Sequence, residues 1–186
     1  MAKNLIEAGE EFDRFVGSYV REYARLEFIL RIAFKRHSGL NDETYDILIG
    51  LPRTGEVTSK LKKLFPRLVA DASVRLEAER AFNQLDAVTW LRDNLVHYGG
   101  QAQGLERVLV RCKPHQTMKQ TGFAHSIHDW SEMHGAHSDL TLIADFFHFH
   151  LVHQPPTRVV RNLLRKSVQL PDAWRYKSPE LLQRQK

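Results

Sequence analysis

Trp90-Leu91-Arg92-Asp93-Asn94-Leu95-Val96-His97-Tyr98-Gly99-Gly100 is the stretch from which the rest of the chain is read. It closes a helical pattern whose apolar stripe is Ala81, Phe82, Leu85, Val88, Leu95 and Val96, and the Gly-Gly pair supplies a C-terminal stop. Arg92 falls on the line Leu85, Val88, Thr89, Arg92, Leu95, Val96, so a guanidinium is placed on or beside the apolar face. An unpaired charge there is strongly unfavourable, and Arg92 must snorkel, pair with a carboxylate or line a wet cleft. Glu27, between Tyr23 and Leu30 on the inner side of the first helix, is a candidate partner. Asp93 and His97 are four residues apart on one helix face, so the carboxylate can orient the imidazole. His97 sits in the last turn, where the helix dipole favours a cation, and imidazole is the side chain suited to proton transfer near neutral pH. Arg92 and His97 are separated by about 140° around the helix and therefore flank a groove. A second chain packed antiparallel on this face would bring two such pairs together.

Upstream of this stretch, Phe12, Val16, Tyr19, Tyr23, Leu26, Leu30 and Ala33 recur at helical spacing from about Asn4 to His37, where Ser38-Gly39 ends the pattern. Asn41-Asp42 caps a short helix reaching about Ile49. Thr54 to Phe65 reads as another, with Val57, Leu61 and Leu64 inward, Lys60, Lys62 and Lys63 outward, and Pro66 as its stop. The long helix carrying the quoted stretch covers Ser73 to Tyr98. Beyond Gly100 the helical period is lost. Val108-Leu109-Val110 is short, apolar and mostly β-branched, which predicts a strand, and Phe123 to Ile127 predicts its hairpin partner across a loop bracketed by Pro114 and Gly122. A third long helix is expected from Ser138 to His153, beginning as early as Trp130, with Leu140, Ile143, Ala144, Phe147 and Leu151 inward. After Pro155-Pro156, Arg158 to Val168 predicts a last amphipathic helix. The expected fold is all-α in the main: an antiparallel helical bundle with a short β-hairpin inserted after the motif helix.

In fold and motif the chain resembles the HEPN superfamily, whose Arg-x(4-6)-His motif lies late in a long helix of an all-helical domain. Here the motif is Arg92-x4-His97 with Asp93 in the polar slot, followed by the Tyr-Gly-Gly stop. The resemblance implies a HEPN-like up-and-down bundle over residues 1–170 that forms a homodimer through the motif face. It also implies a metal-independent endoribonuclease of toxin-antitoxin or phage-defence type that cuts RNA through the ribose 2′-hydroxyl, with an antitoxin or defence-operon partner. In that reading Arg92 binds the scissile phosphate, His97 moves the proton and Asp93 orients it, with Glu27 in support. Trp90, Asn94, Tyr98, Lys60 and Lys63 are the candidate RNA contacts. The alternative is a catalytically inactive HEPN-like module that binds RNA or protein, with Arg92 bridged to Glu27 or Asp86 and His97 serving as a helix cap.

Composition sets the outer limits. The chain has 186 residues, 42% hydrophobic and 26% charged, the balance of an ordinary globular domain. Cys112 is its single cysteine, so no intramolecular disulfide can form. No apolar run approaches the ~18 to 20 residues of a membrane span, and the N-terminus lacks a secretory pattern, which together predict a cytoplasmic protein without membrane partners. The formal net charge of +5 is concentrated at the C-terminal end. Residues 171–186 read as a basic tail too polar and too close to the terminus to assign order, and able to attract RNA. Eight of the ten histidines fall between His115 and His153, but without a paired-cysteine or His-Glu-x-x-His element they predict neither a metal site nor a cofactor. P-loop, serine-hydrolase elbow and dinucleotide fingerprints are also missing from the sequence.

Overall fold

A computed structural model describes residues 2–50, 52–112, 125–153 and 168–179. Helix α1 covers Ala2–His37, α2 Asp42–Leu48, α3 Thr54–Leu68 and α4 Ala72–His97. Three strands follow, β1 (Gly100–Gln103), β2 (Arg107–Arg111) and β3 (His125–Asp129), and then α5 (Trp130–Phe147) widens into a π-helical turn over His148–Val152. The protein is thus mainly helical with one small antiparallel sheet. Its chain divides into two units, one of residues 1–23, 86–139 and 173–186 and the other of 24–85 and 140–172.

In the first unit the core is aromatic. Phe15 stacks on Tyr19 with ring centres 5.5 Å apart and meets Trp130 edge-on at 6.0 Å. Tyr19, fully buried, donates its hydroxyl to the Val88 carbonyl at 2.9 Å, so its one polar group is satisfied inside the core. The sheet has the order β1-β2-β3, antiparallel throughout. Its inner face carries Val108, Val110 and His128, all buried. The outer face, read from the register, places Gln101, Leu109 and Ile127 in one row, Gln103, Arg107 and Asp129 in a second, and Arg111 opposite His125 in a third.

The sheet corrects the two-stranded hairpin expected from the sequence. β2 and β3 do pair, but β1 lies on the other side of β2, joined by a tight turn at Gly104 (φ 72°). Gly100-Gln101-Ala102-Gln103 has none of the β-branched or aromatic residues that mark strands, and its extended form comes from pairing with β2. Gly99 (φ 72°) ends α4, with its N–H directed to the carbonyls of Asn94 (3.1 Å) and Leu95 (3.2 Å). Gly100 then tolerates no side chain, because a Cβ there would lie 2.6 Å from the Leu109 oxygen.

Asp139 anchors the C-terminal segment of this unit. Its carboxylate, wholly buried, accepts the backbone N–H groups of Arg175 (3.3 Å) and Tyr176 (2.9 Å). Tyr176 and Ser178 are buried in turn, so part of the stretch read as a basic tail packs into the fold.

The second unit is built around Phe65, Phe82, Phe146 and Phe147. Phe82 and Phe147 lie 4.6 Å apart, and Phe65 meets Phe82 edge-on at 6.1 Å. Leu26, Leu30, Val57, Leu61, Leu85, Leu140 and Ile143 fill the space around them. Arg25 pairs with Asp145, and Asn41 caps α2 by accepting the Thr44 N–H at 2.8 Å.

Several element ends differ from their sequence expectation. Pro66 does not stop α3, which continues to Leu68: proline φ is helical, and near a C-terminus little hydrogen bonding remains to be lost. α5 begins at Trp130, the earlier of the two starts the sequence allowed, but a π turn replaces α-helix at its end. Val96 is 48% exposed instead of lining the stripe, and Val16 and Leu64 are half-buried. Phe123, Pro114, Gly122 and nearly all of the helix expected over Arg158 to Val168 lie outside the described residues.

Candidate functional site

The last two turns of α4 hold most of the motif. Arg92 is 28% exposed at its side chain, and its guanidinium carbon stands 4.8 Å from the centre of the Tyr23 ring on α1. Tyr23 is itself buried and shares a 2.9 Å hydrogen bond with the Thr89 hydroxyl, one helical turn before Arg92. The aromatic face is thereby held from the same helix that presents the cation. Arg92 Nη1 donates to Asp93 Oδ1 at 2.6 Å, and Asp93 remains half-exposed. The arginine thus combines two of the solutions its sequence position demanded, a carboxylate partner and a partly wet location.

His97 is exposed in the final turn, with the Tyr98 ring 6.3 Å away. Among the described residues no hydrogen bond reaches its imidazole, so Asp93 serves Arg92 and does not orient His97. Asn94 is buried, and its Nδ2 donates to the Trp90 carbonyl at 2.8 Å, which directs this amide to its own helix. Trp90 is half-buried with its ring edge toward His128 at 6.4 Å, and Tyr98 is half-buried beside the helix stop.

The other candidates belong to the second unit. Glu27 accepts a hydrogen bond from the Thr54 hydroxyl. Lys60 and Lys63 are exposed on α3, with Lys60 Nζ 5.2 Å above the Phe34 ring.

Two groups were not legible as site residues. One is Arg111, whose backbone N–H donates to the Gly99 carbonyl at 3.1 Å and whose Nη1 lies 3.9 Å from where a Gly99 Cβ would stand. The other is a polar relay on the inner face of the sheet. His128 Nε2 lies 2.8 Å from Ser126 Oγ, while Nδ1 lies 3.3 Å from Glu132 Oε2. Because the carboxylate only accepts, the proton sits on Nδ1 and Ser126 donates to Nε2. Burial pushes the His128 pKa down, against the opposing pull of Glu132 and Asp129. Ser-x-His on a strand and His-x3-Glu leading into a helix are the spacings that signal this relay.

The other histidines of the described residues form no single cluster, although His148 and His153 stack on each other at 5.9 Å, and His115 lies outside the described residues. His137 bonds Ser18 at 3.0 Å, His134 stacks on Trp130 at 5.6 Å, and His150 packs on Phe146 at 4.5 Å. Among the described residues no three His, Cys, Asp or Glu side chains are grouped to hold a metal ion, and no helix is long and apolar enough to cross a membrane. Comparison of the chain with family models, with curated proteins and with solved structures found no match.

Proposed function

We propose that the protein is a HEPN-like, metal-independent endoribonuclease whose reacting groups are Arg92 and His97. One observation carries this reading: a guanidinium held on an aromatic face precedes, by little more than a helical turn, an exposed imidazole with no hydrogen-bond partner among the described residues. Arg92 carries a planar fork of N–H donors whose geometry matches phosphate oxygens, and Asp93 fixes that fork through Nη1. His97 accepts the ribose 2′-hydroxyl proton as the 2′-oxygen attacks phosphorus. The bond to the 5′-oxygen breaks, His97 passes the proton on to that oxygen, and a cyclic phosphate and a free 5′-hydroxyl remain. Arg92 stabilises the charge that grows on the phosphoryl oxygens. A homodimer through the motif face, residence in the cytoplasm and a cognate antitoxin or defence-operon partner complete the proposal.

Cleavage of a mixed tRNA and single-stranded RNA panel in excess EDTA tests it. The parent should cut, and Arg92→Ala and His97→Ala, matched for folding, should each lose about 10²-fold or more. A folded parent that leaves the panel intact would favour the second reading, a non-catalytic binding module. The Arg92 to Asp93 pairing supports that alternative, since it satisfies the arginine without any substrate.

A further inference from the structure

We infer that the outer face of the β1-β2-β3 sheet is a binding surface for single-stranded RNA, continuous with the Arg92/His97 site. The inference rests on the ribonuclease reading above and names how its substrate is held.

The sheet starts where the motif helix stops. Gly99, two residues beyond His97, bonds the backbone of Arg111 and lies against its guanidinium, so β2 delivers a second arginine to the end of α4. Opposite Arg111 in the register stands His125, also exposed. Among the described residues neither side chain has an ion-pair or hydrogen-bond partner, and their row holds no carboxylate. Arg107, four residues back along β2 and about 13 Å away by strand rise, is 3.8 Å from Asp129, so the positive charge left uncompensated is at the His97 end.

Between these rows lie groups suited to bases. Gln101 is exposed and offers an amide that both donates and accepts, which is what unpaired base edges require. In the same row Leu109 is half-buried and Ile127, beyond it on β3, is 50% exposed, which together make an apolar shelf between the polar rows. Phosphate donors at one edge and an amide with an apolar shelf beside them suit a strand with unstacked bases better than a duplex, whose base edges are closed. In this arrangement Arg111 holds the phosphate next to the scissile one and binds substrate and transition state alike.

The test uses the full chain carrying His97→Ala, so that binding is read without cutting, and a fluorescein-labelled single-stranded 12-mer RNA followed by anisotropy across a salt series. Arg111→Ala should weaken binding about fivefold at 0.1 M salt and lower the salt slope by about 0.7, the value for one single-strand phosphate contact. Ile127→Glu should weaken it at least as much. In the cutting-competent chain Arg111→Ala should raise KM with kcat within about twofold, as lost uniform binding does. Both side chains point outward, so the fold should survive, and thermal unfolding checks this. If the His97→Ala chain binds RNA and both substitutions leave affinity and slope unchanged, the sheet surface is overturned while the ribonuclease reading stands. If the parent neither binds nor cuts RNA, both fall together.

Discussion

Arg92 rests on the ring of Tyr23, its guanidinium carbon 4.8 Å from the ring centre, and this seats a cation of α4 against an aromatic face of α1. The contact explains why an arginine persists on the apolar side of a long helix. Planar guanidinium stacks well and is less tightly hydrated than an ammonium, so partial burial costs it comparatively little.

Tyr23 substitutions should separate the stack from the hydrogen bond. Tyr23→Phe removes the link to Thr89 and should lower stability by about 0.5–1.5 kcal/mol, with RNA cleavage within about twofold of the parent. Tyr23→Leu also removes the ring beneath Arg92, worth a further 0.5–2 kcal/mol or so, and cleavage should fall with it. Urea unfolding and EDTA-resistant RNA cleavage measure the two effects.

Asp93 pairs with Arg92 and makes no bond to His97, so its role should be secondary. Asp93→Ala should reduce cleavage by about tenfold or less, against the 10²-fold or greater loss expected at Arg92 and His97. It should also tighten RNA binding, since it removes an anion that competes with phosphate for the guanidinium. Steady-state kinetics with a short RNA resolves the two effects as a fall in kcat accompanied by a fall in KM.

Gly100 and Gly104 should respond differently to alanine. At Gly100 the added methyl meets the Leu109 carbonyl at 2.6 Å and Phe12 at 3.1 Å, and β1 must move from β2 to admit it. The expected cost is about 1–3 kcal/mol, the usual range for overpacking. At Gly104 (φ 72°) the space is open, and only the left-handed backbone opposes the change, at about 1–2 kcal/mol. Chemical denaturation ranks them, and amide exchange at Gln101 and Leu109 should accelerate in Gly100→Ala alone.

His128 ties stability to pH. Burial holds its pKa below that of the unfolded chain, about 6.5 for histidine. Above pH 6.5 the imidazole is neutral in both states and exacts no penalty. As pH falls below 6.5 the unfolded chain takes up a proton that the folded chain resists, so stability declines until the lower folded pKa is reached. His128→Gln should be less stable at pH 7.5 yet lose less between pH 7.5 and 5.5. Thermal melts of the two chains at both pH values check the sign.

Periodicity in the sequence alone determined the helices, because apolar residues three and four apart must share a buried face: Tyr19, Leu26 and Leu30 on α1 and Leu140, Ile143 and Phe147 on α5 are all buried. It also determined the helix stops at Gly39 and Gly99, both with positive φ, and the placing of Arg92 at the margin of the packed face. Only the tertiary structure decided that Gly100-Gln101-Ala102-Gln103 is a strand, since a segment with no strand-forming side chains takes its conformation from the partner that bonds it. It alone decided which carboxylate meets which cation as well. Asp93 could have turned toward His97, one helical turn away, and the structure sets it on Arg92, held from beneath by a ring 69 residues earlier in the chain. Arg111 and the Ser126-His128-Glu132 relay were hidden for the same reason: their neighbours are fixed by strand register and packing, which no local spacing encodes.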